Sequence, residues 1–199
     1  MSIYEGRFDN RRLTLELRDL QMNNDELNSD TQVGVRIIDN KLNNIIGYIR
    51  GPQGTPYESG IFELEISIPS EYPYEPPKVR FITRIWHPNI SSQTGAICLD
   101  ILKDAWSPAL TLRTVLLSIQ ALLSAPEPDD PQDAQVASLY KSNFNEYINT
   151  AKSWTIMFAS SKDQKIRRLL DMGFSKDNVT EALIRNKWDE TQALNDLLG

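Results

Sequence analysis

The spacing of hydrophobic and polar positions changes twice along the first 159 residues. Residues 3–22 place Leu13, Leu17 and Leu20 on one face and arginines on another, and therefore predict an amphipathic helix. β-branched and alternating segments follow within residues 31–39, 44–51, 61–69 and 78–85, separated by turns rich in Asn, Gly or Pro. Four such segments in succession predict an antiparallel meander of four strands.

Helical periodicity returns after the strands. Residues 111–125 carry a wide apolar stripe, which predicts a buried central helix, and residues 134–158 predict one or two further helices. All predicted helices but the first follow the strands, so the fold class is α+β. A short polar segment leads into residues 160–199, whose pattern predicts three short helices. We therefore expect two domains, residues 1–159 and residues 160–199.

Composition and charge argue against several classes of protein. The net charge of −6 argues against a nucleic-acid partner, and no apolar run is long enough to span a membrane. The charged N-terminal segment lacks the apolar core of a secretory signal. A single cysteine and a single histidine exclude an internal disulfide and a zinc site of the usual kind, so we expect no bound metal and a reducing compartment.

The only histidine and the only cysteine lie eleven residues apart in HPNISSQTGAICLD, residues 87–100. Cys98 has apolar neighbours, and a free cysteine in such a setting is often a small buried side chain. The alternative is a nucleophile with His87 as its base, which requires the two side chains to converge. His87 precedes Pro88 in a tripeptide suited to a rigid turn, where a histidine more often braces the backbone.

Two further polar residues each have a structural and a catalytic interpretation. Asn89 is at home in a turn, and its amide is also suited to donate to a developing oxyanion. Asp130 lies in the acidic run EPDDPQD, residues 127–133, where a carboxylate is either solvated or able to orient an incoming amine. The residues alone leave both pairs of alternatives open.

A series of motifs then indicates a family. The segments YPYEPPKV, HPNI, GAICLDIL, WSPAL and PEPDDP, in that order, resemble the catalytic core of a ubiquitin-conjugating enzyme (E2), and the resemblance covers residues 4–159. Residues 160–199 resemble a ubiquitin-associated (UBA) domain, with an MGF loop between the first two helices and paired leucines on the third. An E2 core followed at once by one UBA domain resembles the E2-25K class.

The resemblance implies an enzyme that carries ubiquitin. In such enzymes the cysteine, here Cys98, accepts the C-terminus of ubiquitin as a thioester from an activating enzyme (E1) and passes it to lysine amines. E1 consumes the ATP, so we expect no bound cofactor. The resemblance assigns Asp130 to orienting the amine, His87 and Pro88 to structural support, and Asn89 either to the oxyanion or to the loop beside it. The E2-25K class further implies lysine-48-linked chains for proteasomal degradation.

The resemblance also implies partners and the surfaces that bind them. The surface for E1 and for RING-type ligases (E3) comprises Arg11, Arg12, Tyr74, Pro108 and Ala109. The face that holds the donor ubiquitin comprises Ile101, Leu117 and Ala121. The UBA domain binds ubiquitin non-covalently through Met172, Gly173, Phe174, Leu197 and Leu198. We expect a monomer of the cytoplasm and also of the nucleus, with no membrane or nucleic-acid partner.

Three other functions compete with this one. The first is a non-catalytic ubiquitin-binding adaptor with an E2-like fold, against which the intact HPN and the cysteine argue. The second is a cysteine hydrolase that uses Cys98 and His87 as a dyad. The third is an E2 for another ubiquitin-like modifier, against which the UBA-like segment argues.

Overall fold

A computed structural model of the chain describes residues 10–21, 32–38 and 41–199. The chain divides into two compact units, Met1–Ala159 and Ser160–Gly199. The predicted first helix is observed as α1, Asn10–Leu20, and the predicted helical residues 3–9 and 22 lie outside the described residues. The prediction was wrong for Gln21, which ends the helix by forming an isolated bridge with Val35 of the first strand. Within the described ranges, no helix combines the length and the apolar character needed to cross a bilayer.

Four strands form the meander that the alternating pattern predicts. They are β1, Val33–Ile38; β2, Lys41–Arg50; β3, Ile61–Ser67; and β4, Lys78–Phe81. Each pairs with the next in antiparallel fashion, so their order in the sheet is the order in the chain. Because successive side chains on a strand point to opposite faces, β3 buries Phe62, Leu64 and Ile66 on one face, which belongs to the core of the first unit.

The fourth strand is shorter than predicted, because β4 ends at Phe81 and the predicted segment runs to residue 85. The backbone N–H groups of Ile82 and Thr83 both donate to the carbonyl oxygen of Glu63, at 2.8 and 3.2 Å. The Thr83 hydroxyl accepts the Glu63 N–H at 2.8 Å. One residue of β3 thus holds two consecutive residues, which turns the chain out of the ladder and toward the candidate site.

Helix α2, Leu112–Ser124, packs on the sheet and fills the core of the first unit. It begins at Thr111, whose hydroxyl accepts the Thr114 N–H and so caps the helix. Its buried residues are those of the predicted apolar stripe, Leu112, Val115, Leu116, Ile119, Leu122 and Leu123. The following segment forms two helices, α3, Ala134–Ser142, and α4, Phe144–Phe158, separated at Asn143, whose side chain caps α4.

The second unit is a bundle of three helices, as predicted. They are α5, Lys162–Asp171; α6, Lys176–Arg185; and α7, Glu190–Leu198. The buried core consists of Leu169, Val179, Ala182, Leu183 and Ala193, and larger side chains such as Ile166, Leu170 and Leu194 pack against it. All three helices contribute to this core, which is what a domain of this size needs in order to bury enough apolar surface.

Candidate active site

The candidate site begins where the chain leaves β4, and two tyrosines fix its backbone. The Tyr57 hydroxyl donates to the carbonyl oxygen of Trp86 at 2.7 Å and lies 2.7 Å from the Tyr147 hydroxyl. The Tyr57 ring also contacts the His87 ring, with centroids 5.7 Å apart. Both tyrosines are buried. The residue before His87 is therefore held by the loop that follows β2 and by α4.

Both nitrogens of the buried His87 ring are engaged. The Asn89 backbone N–H donates to Nδ1 at 3.0 Å, so the proton of the neutral ring lies on Nε2, which donates to the Leu122 carbonyl at 3.1 Å. Burial lowers the pKa of His87 from 6.5 to about 4, although the hydrogen bond to Leu122 acts in the opposite direction. The ring is neutral at pH 7 and has no free nitrogen to deprotonate Cys98, which argues against the hydrolase dyad.

The Asn89 carboxamide holds the acidic loop of residues 127–133. Its Nδ2 donates to the carbonyl oxygens of Glu127 and Asp130 at 2.8 and 2.9 Å. Its Oδ1 accepts the Glu127 N–H at 2.8 Å. A primary amide has two N–H donors, and here both are used within the protein. In this arrangement the side chain supports the loop, and no donor of Asn89 is left for an oxyanion.

Pro88 and Asp133 attach the same loop at its other end. The Pro88 carbonyl accepts the N–H groups of Gln132 and Asp133, each at 2.9 Å. The Asp133 carboxylate accepts both the N–H and the hydroxyl of Ser92, at 3.0 and 2.7 Å. Burial acts to raise the pKa of Asp133, but the hydrogen bonds from Ser92 and from the start of α3 bring it below its usual value. The loop is thus fixed on both sides of Asp130.

Cys98 lies beside the HPN turn, where its N–H donates to the Asn89 carbonyl at 2.9 Å. Its thiol is partly exposed, so it is not a fully buried apolar side chain. The Sγ atom lies 3.8 Å from the Asp130 Oδ2 and 3.8 Å from the Lys103 Nζ. A thiol, a carboxylate and an amine therefore meet at one point on the surface.

Sequence reasoning found the cysteine and the carboxylate but missed Lys103. A short 3-10 helix, Asp100–Leu102, turns the chain back after Cys98 and brings this lysine to the sulfur. Lys103 follows Cys98 by five positions, and that spacing alone does not distinguish it from any other surface lysine. Only the turn of the backbone reveals the contact.

The residues predicted to bind E1 and E3 lie on α1 and in two loops. Tyr74 is 78% exposed, and Pro108 and Ala109 are also exposed, as is Arg11 on α1. The indole N–H of Trp106 donates to the Pro73 carbonyl at 2.8 Å and ties the two loops together. Tyr74, Pro108 and Ala109 therefore belong to two loops that are joined directly.

Arg12 is half-buried, and its guanidinium is engaged within the first unit. Its Nε donates to the Glu16 carboxylate at 2.8 Å, and its Nη2 donates to the Leu110 carbonyl at 2.8 Å. The same carboxylate accepts the Tyr72 hydroxyl and the Leu112 N–H, each at 2.8 Å. Arg12 and Glu16 together thus connect α1 to both loops and to the first residue of α2.

The three residues predicted to face the donor ubiquitin are unequal in exposure. Leu117 is 42% exposed, and Ala121, four residues further along α2 and on the same side, is exposed as well. Ile101 in the 3-10 helix is half-buried and packs against the core. Leu117 and Ala121 are therefore the accessible pair.

The predicted ubiquitin-binding residues of the second unit divide into two groups. Phe174 and Leu197 pack against the small core. Met172 is 61% exposed and Leu198 is 70% exposed. Between the first two helices, Gly173 has a φ of 98°, which side chains other than hydrogen rarely allow. The glycine therefore lets the loop turn with Met172 on the outside and Phe174 on the inside.

Comparisons with known proteins agree with these motifs. A family model for ubiquitin-conjugating enzymes matches residues 12–155. Ubiquitin-conjugating enzyme E2 27 of Arabidopsis thaliana is 51% identical over 95% of this chain and 97% of its own length. Ubiquitin-conjugating enzyme E2 K of Homo sapiens is 52% identical over 87% of this chain and 90% of its own. Among solved structures, the E2 domain of a Toxoplasma gondii ubiquitin-conjugating enzyme has a TM-score of 0.71 and 54% identity, covering 76% of this chain and 100% of that one.

Proposed function

Because this chain belongs to the ubiquitin-conjugating enzyme family and is an E2 of the E2-25K class, we propose that Cys98 is the residue that carries ubiquitin as a thioester. The observation that carries this proposal is the partly exposed Sγ beside the Asp130 carboxylate, on a segment anchored to the HPN turn. An E2 receives ubiquitin from E1, and E1 uses the ATP, so the chemistry requires no cofactor on this chain.

The charging step exchanges one thioester for another. The Cys98 thiolate attacks the carbonyl carbon of the ubiquitin–E1 thioester, a new C–S bond forms, and the E1 thiolate leaves. Thiols exchange through their thiolate form, whose population at neutral pH is small but sufficient for reaction. A base is not needed for this step, which agrees with the neutral His87 ring having both nitrogens engaged.

The transfer step needs more from the protein, because a free lysine amine has a pKa near ~10.4 and is almost wholly protonated at neutral pH. Only the neutral amine attacks the thioester carbonyl. A carboxylate next to the sulfur can accept a hydrogen bond from the incoming amine and hold it in line with the carbonyl carbon. We assign this role to Asp130, whose Oδ2 lies 3.8 Å from Sγ.

We assign Asn89 to the support of the acidic loop. Its three hydrogen bonds to Glu127 and Asp130 support this role over direct donation to the oxyanion. The two roles differ in a double-mutant cycle measured by discharge of the thioester to free lysine. If Asn89 acts by holding Asp130, Asn89→Ala should add little to Asp130→Ala. If the two residues act independently, their effects on the rate should multiply.

The first test of the proposal is a charging assay. The protein, E1, ATP and ubiquitin are run on a non-reducing gel, and a band one ubiquitin heavier should disappear with thiol and be absent in Cys98→Ala. Asp130→Asn should form this band and then discharge to lysine about tenfold more slowly. The matched control is Asp129→Asn, since Asp129 is bound by Lys141 instead of facing the sulfur. A failure of the wild-type protein to form the thioester would contradict the proposal.

We also propose that the second unit is a UBA domain that binds ubiquitin non-covalently. The exposed Met172 and Leu198 support this, because apolar side chains exposed on so small a domain form a plausible contact for a partner. Met172→Ala and Leu198→Ala should each weaken the chemical-shift changes that ubiquitin causes in the full-length protein. Ile184→Ala is the matched control, since Ile184 is 59% exposed on α6 and outside the MGF loop and α7.

The E2-25K class supports a finer proposal, that the product is a lysine-48-linked chain and a signal for proteasomal degradation. Binding a growing chain through the second unit would raise its local concentration near the thioester without new chemistry. Ubiquitin in which only lysine 48 is replaced by arginine should then fail to form chains. Chains of normal length from that ubiquitin would contradict the linkage.

The binding of RING-type ligases, the monomeric state and the location in the cytoplasm and nucleus stay predictions.

A further inference from the structure

Ser92 and Asp133 connect the turn that precedes Cys98 to the acidic loop beside it, and the two steps above give neither residue a part in the chemistry. The N–H and the hydroxyl of Ser92 both donate to the same carboxylate oxygen of Asp133, at 3.0 and 2.7 Å. Hydrogen bonds to a charged acceptor are short and strong. The other carboxylate oxygen accepts the Val136 N–H and caps α3. The Asp133 side chain thus joins two separate elements.

The turn that carries Ser92 is itself fixed to the sheet. The Ser91 N–H donates to the Ala96 carbonyl and the Gly95 N–H donates to the Ser91 carbonyl, each at 2.9 Å, which closes the turn. The Phe81 N–H of β4 donates to the Gly95 carbonyl at 2.9 Å. A side chain at Gly95 would collide with the Phe81 carbonyl, so the turn and the strand are in close contact. Ser92 therefore presents its two donors from a rigid support.

The Asp130 carboxylate, in contrast, depends on its backbone for its position. Among the residues that the structure describes, its one polar side-chain contact is with the Cys98 Sγ at 3.8 Å. Only Pro131 and Gln132 separate Asp130 from Asp133. A proline fixes its own φ and restricts the backbone of the residue before it, so this short connection is stiff. A shift of Asp133 is therefore passed on to Asp130.

We infer that Ser92 is a positioning residue for the transfer of ubiquitin to an amine, and that it acts through Asp133 on the Asp130 carboxylate. The inference rests on the proposed function, because it requires the thioester at Cys98 and the role assigned to Asp130. A misplacement of about 1 Å can slow an oriented reaction on the order of a hundredfold. The hydrogen bonds of Ser92 therefore affect the rate of transfer through the position of Asp130.

The test compares the full-length wild type, Ser92→Ala and Ser92→Thr, each charged with ubiquitin by E1 and ATP. ATP is then removed, free lysine is added, and the loss of the thioester is followed on non-reducing gels. The rate constant is measured on enzyme that is already charged, so a difference in charging does not affect it. Ser153→Ala is the matched control, because the Ser153 hydroxyl donates to the Asn149 carbonyl within α4.

We expect Ser92→Ala to lower the rate constant for discharge to lysine about fivefold and Ser153→Ala to leave it unchanged. The loss in Ser92→Ala should be partial, because the backbone N–H of residue 92 and the Pro88 carbonyl still hold the loop. Ser92→Thr keeps the hydroxyl and should restore most of the rate.

A second measurement separates positioning from a general loosening of the site. Asp130→Asn removes the carboxylate through which Ser92 acts, so Ser92→Ala should slow discharge little further in that background. A general loosening would slow discharge by the same factor in both backgrounds, and that result would overturn the inference. A wild-type rate in Ser92→Ala, or an equal loss in Ser92→Thr, would overturn it as well.

These outcomes are distinct from a failure of the proposed function. If the wild type forms the thioester, Asp130→Asn discharges slowly and Ser92→Ala discharges normally, only the inference is wrong. If the wild type forms no thioester, or if Asp130→Asn discharges at the wild-type rate, the proposed function is overturned in that part and the inference with it.

Discussion

Replacing His87 with glutamine should make the first unit less sensitive to acid. In the folded protein the pKa of His87 is lowered from 6.5 to about 4, because the ring is buried. Between these two pH values the unfolded chain binds a proton at this residue and the folded chain does not. The free energy of unfolding therefore falls as the pH falls from 6.5 toward 4, and above 6.5 the ring is neutral in both states and has no effect.

The size of the effect follows from the two pKa values. Between pH 7.5 and pH 5, linkage at this one residue should reduce the free energy of unfolding by about 2 kcal/mol. Glutamine does not titrate, so His87→Gln should lack this part of the loss whatever its stability at neutral pH. Carboxylates that titrate over the same range are present in both proteins. Their contribution therefore cancels when the loss of unfolding free energy in His87→Gln is subtracted from that in the wild type.

The assay is urea unfolding followed by tryptophan fluorescence at the two pH values. A Trp188→Phe background removes the only tryptophan of the second unit, so the signal reports on Trp86, Trp106 and Trp154 of the first. The wild-type loss between pH 7.5 and pH 5 should exceed that of His87→Gln by about 2 kcal/mol. Equal losses would refute the reasoning, because they would mean that the ring is not held neutral by burial and is not committed to bracing the HPN turn.

Other perturbations test the supports of the site and the second unit. Gly95→Ala should destabilise the first unit by about 3 kcal/mol in urea unfolding and slow charging, since its Cβ would lie 2.0 Å from the Phe81 carbonyl oxygen at a φ of 75°. Glu16→Ala should cost about 2–4 kcal/mol because it removes the acceptor of three hydrogen bonds, and urea unfolding measures this. Arg168→Ala breaks the paired contact with Glu190 and should lower the stability of the second unit by about 1 kcal/mol, as followed by Trp188 fluorescence.

Much of the fold could be predicted from sequence because it depends on local order along the chain. The apolar stripe of α2, the four strands and the three helices of the second unit follow from the period of hydrophobic residues. The end of β4 at Phe81 could not be predicted, because it depends on the carbonyl of Glu63, which comes from another strand. The alternating pattern of residues continues past Phe81, whereas the regular ladder of backbone hydrogen bonds between β3 and β4 ends there.

The candidate site also has parts that could be predicted from the sequence and parts that could not. The motifs identified Cys98, Asn89 and Asp130 as candidates because their neighbours in sequence are distinctive. The sequence left open whether Asn89 donates to an oxyanion or to a loop. In the structure both amide hydrogens of Asn89 donate to carbonyl oxygens of the acidic loop. It also left His87 as either a base or a brace, and the two engaged ring nitrogens leave no nitrogen free to act as a base.

The sequence by itself determined the class of fold, the family and the candidate thiol, because these depend on residue types in a fixed order. Only the tertiary structure decided which groups meet at that thiol. Asp130 comes from a loop 32 residues further along the chain, held by Asn89 and Pro88, and Lys103 comes from a turn made by a short helix. Distances between such groups are set by packing and hydrogen bonds between separate elements, and no local pattern of residues contains them.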